Sequence, residues 1–265
     1  MNIDQLSTQL LFTTVPLLIE GEDTKRRLGT GFFFNAQHPQ NTNLTIPLLV
    51  TNYHVIKDAN RGICQIAKAD SDGMPVIKDK LKIEFDSEIL STAFSDKTLD
   101  IVAVPIAPLF RLAENQDHRL FFRAVDQSLI PDSKVMDELS AIEEITFIGY
   151  PGGIVDTASG LPIVRRGITA TPIWSDFQGQ PKFLIDAGVF PGSSGSPVFV
   201  YNQGSYTKDN AIVIGSRVLF VGLITETMLH QEESGKAFLG LGKVVNATAF
   251  KGFIDKVVAN VPLPP

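Results

Sequence analysis

A chain of 265 residues, 44% of them hydrophobic, can bury a full core, and its net charge of −6 leaves no basic footprint for nucleic acid. A single cysteine, Cys64, rules out an intrachain disulfide. No apolar run is long enough to span a membrane, and Met1-Asn2-Ile3-Asp4 opens no leader peptide, so a soluble, cytoplasmic protein in a reducing compartment is expected.

Gly 21 and Pro 16, spread along the chain, supply the turns of many short strands, which predicts an all-β fold. In chain order, Leu48-Leu49-Val50-Thr51-Asn52-Tyr53-His54-Val55 reads as a strand that delivers His54 at its end. Asp70-Ser71-Asp72-Gly73 has the start of a calcium loop but lacks its spacing and terminal glutamate, so a hairpin turn is expected there. Leu99-Asp100-Ile101-Val102-Ala103-Val104-Pro105 places Asp100 at the mouth of another apolar strand. Residues 131–143 are charged and broken in pattern, and read as a surface connection between two halves. Only near the C-terminus does helical periodicity persist. There Ala249, Phe250, Phe253, Ile254, Val257 and Val258 share one face, with Asn246 or Thr248 as the cap.

The most informative stretch is Pro191-Gly192-Ser193-Ser194-Gly195-Ser196-Pro197, set between the apolar segments Phe183-Leu184-Ile185 and Val198-Phe199-Val200. A glycine-rich turn can aim two backbone N–H groups at one point beside a serine hydroxyl, as acyl transfer requires. Glycine and serine also build ordinary turns, a histidine after a strand is usually a packed loop residue, and an aspartate before one is usually a turn former. The conjunction is what carries weight. Histidine, aspartate and serine, in that chain order, are the base, orienter and nucleophile of a triad.

These residues resemble a trypsin-like (chymotrypsin-fold) serine peptidase, closest to the bacterial HtrA-type protease domain. Gly29-Thr30-Gly31-Phe32-Phe33 resembles the Gly-Ser-Gly-Phe entry strand, and Thr51-Asn52-Tyr53-His54-Val55 the Thr-Asn-x-His-Val histidine motif. Asp100-Ile101-Val102-Ala103-Val104 resembles Asp-Leu-Ala-Val, and Ile148-Gly149-Tyr150-Pro151 resembles Ile-Gly-x-Pro. Asp186 to Pro197 resembles Asp-Ala-x-x-x-Pro-Gly-Asn-Ser-Gly-Gly-Pro, while Val221-Gly222-Leu223 and Leu239-Gly240-Leu241-Gly242 fit the two strands that follow.

The resemblance implies two six-stranded antiparallel β-barrels and a C-terminal helix packed on the second. The halves are residues 1–125, with His54 and Asp100, and residues 126–265, with Ser194. Ser194 is the attacking serine, and the N–H groups of Gly192 and Ser194 form the oxyanion hole. Ser196 stands where the commonest motif has glycine, as in glutamate-cleaving relatives. Ser193 replaces Asn or Asp, which argues against activation by a freed N-terminal amine. Thr225 matches the hydroxyl residue that buttresses the triad aspartate, and Thr225-Glu226-Thr227 would offer backbone to an extended substrate.

Specificity falls to Gly188, Val189, Phe190, Ile224, Thr225, Glu226 and Gly240. With no acid at the pocket floor and no histidine at Ile224, cleavage after small or medium apolar residues is expected. No PDZ-type domain is expected after residue 262. The expected partner is a polypeptide substrate, with no nucleic acid, no membrane and no cofactor; His38, His118 and His230 lack metal-ligand spacing. A catalytically silent peptide-binding or chaperone-like module on the same fold is the alternative.

Overall fold

Phe32, Phe33 and Phe34 point alternately to opposite faces of one strand, yet all three are buried, so this strand serves two cores at once. A computed structural model describes residues 1–21, 26–208, 211–232 and 235–261. The N-terminal half runs α1 (Leu6–Leu10), β1 (Thr14–Gly21), β2 (Arg26–His38), β3 (Asn41–Thr51), α2 (Tyr53–Ile56), β4 (Ala59–Ala69) and β5 (Pro75–Phe85). It continues through α3 (Ser87–Ser91), β6 (Phe94–Asp96), β7 (Ile101–Pro105), α4 (Ala107–Asn115), β8 (Leu120–Phe121) and β9 (Val125–Asp126). Its sheet has the order β5-β4-β1-β2-β3-β7-β6, with β8 added on β4 and β9 parallel to β2.

After α5 (Ser133–Asp137) come β10 (Glu144–Gly149), β11 (Ile163–Thr169), β12 (Lys182–Asp186), β13 (Pro197–Asn202), the hairpin β14 (Ser205–Lys208) and β15 (Ala211–Ile214), β16 (Arg217–Glu232), β17 (Gly235–Asn246) and α6 (Ala247–Ala259). Strands β10-β11-β12-β17-β16-β13 close into a barrel, and the fold is mostly β with a chymotrypsin-like arrangement. The hydrogen-bonded path of the first half, by contrast, ends at β5 and β6. Among the described residues no helix is long and apolar enough to cross a membrane.

Three of the four apolar clusters among the described residues follow from strand alternation. Val15, Leu17, Phe33, Leu49 and Val102 fill the first half, and Phe147, Phe183, Val198, Val221 and Val244 fill the barrel. Between them Phe32, Phe34 and Leu48 meet Phe199 and Phe220, and Phe250, Ile254 and Val257 of α6 close the seam. The helix packs on the second barrel, as the resemblance implied, and reaches the first half as well, because its apolar stripe meets the outward phenylalanines of β2 beside Phe220. Phe250 sits 5.0 Å from the Phe34 ring and 4.9 Å from the Phe220 ring. Burying a phenylalanine contributes about 2–3 kcal/mol, so the helix joins the halves more firmly than loop contacts would. Asn246 is its cap, accepting the Ala249 N–H at 2.9 Å.

Two segments depart from the sequence reading. Residues 131–143 hold α5, capped by Asp132, and sink Met136 and Leu139 into the barrel core, so the connection is pinned. Helix α4 buries Leu109 and Ala113, but Pro105 and Pro108 at its start and its short length hide the period. The expected turn at Asp70–Gly73 is present, with the Asp70 carboxylate accepting the N–H groups of Asp72 and Met74.

Candidate active site

Strand β3 ends at Thr51, Asn52 stays extended, and the single turn α2 carries His54. Asp100 precedes β7 in the left-handed conformation, φ +59°, which aspartate tolerates better than most side chains. That twist turns its carboxylate onto α2. One oxygen lies 2.6 Å from His54 Nδ1, and the other accepts the His54 backbone N–H at 2.9 Å. The Asp100 carbonyl accepts from Asn52 Nδ2 at 2.8 Å and from the Tyr53 N–H at 3.2 Å. A carboxylate on Nδ1 assigns the proton to that nitrogen, leaving Nε2 with its lone pair.

The turn 191–196 is fixed by the other half of the molecule. The Thr30 N–H donates to the Ser194 carbonyl at 2.9 Å, and the Thr30 hydroxyl donates to the Gly192 carbonyl at 2.9 Å. That hydroxyl also accepts the Tyr150 N–H at 3.0 Å, and Thr51 Oγ1 donates to the Thr30 carbonyl at 2.8 Å. Gly195 must be glycine. Its φ is +87°, and a Cβ there would lie 2.0 Å from the Thr30 carbonyl oxygen. The Gly152 N–H donates to the Pro191 carbonyl at 2.5 Å, and among the described residues no peptide bond is cis. The Gly192 N–H therefore points away from Gly152. Among the described residues neither the Gly192 nor the Ser194 N–H meets an acceptor.

Of the three serines, Ser193 and Ser196 are fully buried with unpartnered hydroxyls, while Ser194 is half-buried. The Ser194 hydroxyl makes no hydrogen bond among the described residues; the turn is tied to the His54 strand through Thr30 and Thr51. Among the described residues the Thr225 hydroxyl makes no hydrogen bond with Asp100, the contact the resemblance implied. It donates to the Lys243 carbonyl at 3.4 Å, beside a register shift in β16 between Ile224 and Glu226. Cys64 is buried in the first core, and burial pushes its thiol pKa up, away from nucleophilic use.

The residues expected to set specificity divide. Val189 and Ile224 are 1% and 0% exposed and packed into the barrel core. Gly188 has φ +58°, Gly240 accepts its N–H at 2.9 Å, and Phe190 is 41% exposed. Glu226 is exposed but held by Lys243 at 2.8 Å. One residue was missed. Arg165 on β11 lies with its guanidinium carbon 5.2 Å from the Phe190 ring centre. One of its nitrogens is 2.7 Å from where a Cβ on Gly188 would stand. The available signal was alternation on β11, where Arg165 shares a face with Gly167, which packs on Ala187. Among the described residues no three His, Cys, Asp or Glu side chains gather as a metal site.

Solved structures share this architecture. The HtrA-type protease AlgW with a tripeptide superposes with a TM-score of 0.56 at 15% identity, covering 97% of this chain and 64% of that one. The chain thus spans less than two thirds of AlgW. A thermostable serine protease, AL20, from an extremophilic microorganism gives 0.51 at 10% identity, covering 94% and 98%. The scabies mite inactivated protease paralogue S-I1 gives 0.53 at 11%, covering 96% and 99%. Such low identities establish the fold alone. No curated protein matches the chain. A model of the trypsin-like peptidase domain, however, matches residues 29–206, more than half the length, and the chain belongs to that family.

Proposed function

We propose that this protein is a serine endopeptidase that hydrolyses polypeptides through an acyl-enzyme, with His54, Asp100 and Ser194 as its triad. The observation that carries the reading is the 2.6 Å contact of Asp100 with His54 Nδ1. His54 Nε2 takes the Ser194 proton as the hydroxyl attacks the carbonyl, and returns it to the leaving amine. Asp100 keeps the imidazole in one tautomer and stabilises the imidazolium. The N–H groups of Gly192 and Ser194 receive the oxyanion; one such donor is worth about 100- to 1,000-fold in rate. Water then releases the acyl group by the same steps in reverse. The unit is formed by residues 1–125 and 126–265 together, with substrate backbone laid along Thr225-Glu226-Thr227. The open space over Gly240 suits a small or medium side chain.

The silent-module alternative has one observation on its side, the absence of a Ser194–His54 hydrogen bond. Catalytic hydrogen bonds are commonly long in unliganded enzymes and tighten with substrate, so the triad reading is the stronger. A fluorophosphonate probe followed by mass spectrometry tests it. The label should sit on Ser194. An unlabelled protein, or a label confined to Ser193 or Ser196, would overturn the assignment.

A further inference from the structure

Resting on the peptidase reading, the geometry points to Arg165 as the residue that selects the substrate side chain on the acyl side of the cleaved bond, and to an acidic residue, Glu or Asp, as the side chain selected. The sequence suggested an uncharged pocket walled by Val189, Phe190 and Ile224. Two of those side chains are in the core. What faces outward is Phe190, with the Arg165 guanidinium against its ring and against the bare face of Gly188. Gly188 has no Cβ, and one built there would lie 2.7 Å from an Arg165 nitrogen, so it is the bare glycine that lets the guanidinium come this close.

The neighbouring charges sharpen the argument. Arg166, one residue on, leaves the opposite face of β11 and pairs with the exposed Glu144. Arg165 is half-buried and forms no ion pair among the described residues, not even with Asp186, which stands two residues before Gly188. Glu226, the exposed acid on β16, is paired with Lys243 at 2.8 Å. Among the described residues, the stretch Gly188–Phe190 therefore presents a cation with no counter-ion of its own. A guanidinium offers paired donors that match a carboxylate, and its positive charge disfavours Lys or Arg in the same place. Phe190 holds the guanidinium plane by a cation–π contact while its donors stay free.

The experiment is a set of peptides identical except for the residue before the cleaved bond: Glu, Asp, Gln, Val, Leu or Lys. Values of kcat/KM are normalised to active sites titrated with the fluorophosphonate. Glu and Asp should lead, with Glu ahead of its isostere Gln by about 100-fold. The Glu/Gln ratio should fall to near one in Arg165→Leu and be kept in part in Arg165→Lys, and Arg165→Glu should turn the preference toward Lys. A labelled wild-type enzyme that prefers Val, Leu or Lys overturns the inference while leaving the peptidase reading intact. So does a Glu/Gln ratio unchanged by Arg165→Leu. If that variant fails to fold, the Arg165→Lys and Arg165→Glu pair decides on the same ratio. No labelling and no cleavage of any peptide overturns both.

Discussion

The Thr30 N–H donates to the Ser194 carbonyl at 2.9 Å, a hydrogen bond that crosses from one half of the molecule to the other and lands on the proposed nucleophile. Thr30 is fully buried, and its hydroxyl serves the Gly192 carbonyl and the Tyr150 N–H as well. Thr30→Val keeps the shape and removes those two partners. Each buried group left unpaired costs about 1–3 kcal/mol, so denaturant unfolding should show a loss of roughly 2 kcal/mol or more. With the Gly192 peptide loosened, kcat should fall about tenfold or more while KM changes little.

Asp100→Asn tests the orienting role separately from the fold. An amide can hold His54 by the wrong nitrogen proton, so the geometry survives and the tautomer does not. We expect kcat to fall by about 10,000-fold, with thermal unfolding nearly unchanged. A fall of less than tenfold would remove Asp100 from the mechanism.

How much of this was legible in the sequence depended on range. The candidates His54, Asp100 and Ser194 stand out because each sits in a short local pattern and the three come in a telling order; the structure joins the first two at 2.6 Å. Gly192 and Gly195 were legible for the same reason, since the turn that needs their positive φ is made of adjacent residues. Arg165 could not be read this way. Its meeting with Gly188 depends on how β11 lies beside the segment after β12, which no local pattern encodes. The burial of Val189 and Ile224 was hidden likewise, because motif position does not say which way a side chain points from its strand. The seam role of α6 was half visible: its apolar face was plain, but not the outward Phe32 and Phe34 that it covers.

Phe250→Ala tests that seam. The ring touches Phe32, Phe34 and Phe220, and its loss should cost about 3–5 kcal/mol. Chemical denaturation should report this loss with an unchanged cap at Asn246.

The first sheet carries a pH-dependent element. Hydrogen bonds from Arg61 and Lys82 hold the Glu84 carboxyl at about 2, below the ordinary carboxylate range. A depressed carboxylate pKa adds stability that is present above the unfolded value, about 4.3, and is lost as pH falls toward 2. Glu84→Gln should therefore narrow the gap in Tm between pH 6 and pH 3 relative to wild type. An equal or wider gap would show that the carboxylate plays no part.

The most direct test of the central claim is peptide hydrolysis by wild type and by Ser194→Ala, at matched concentration and with folding checked by circular dichroism. The account expects a fall in kcat of about 10,000-fold or more, with the melting temperature within a few degrees of wild type. Cleavage by Ser194→Ala within tenfold of wild type would contradict it.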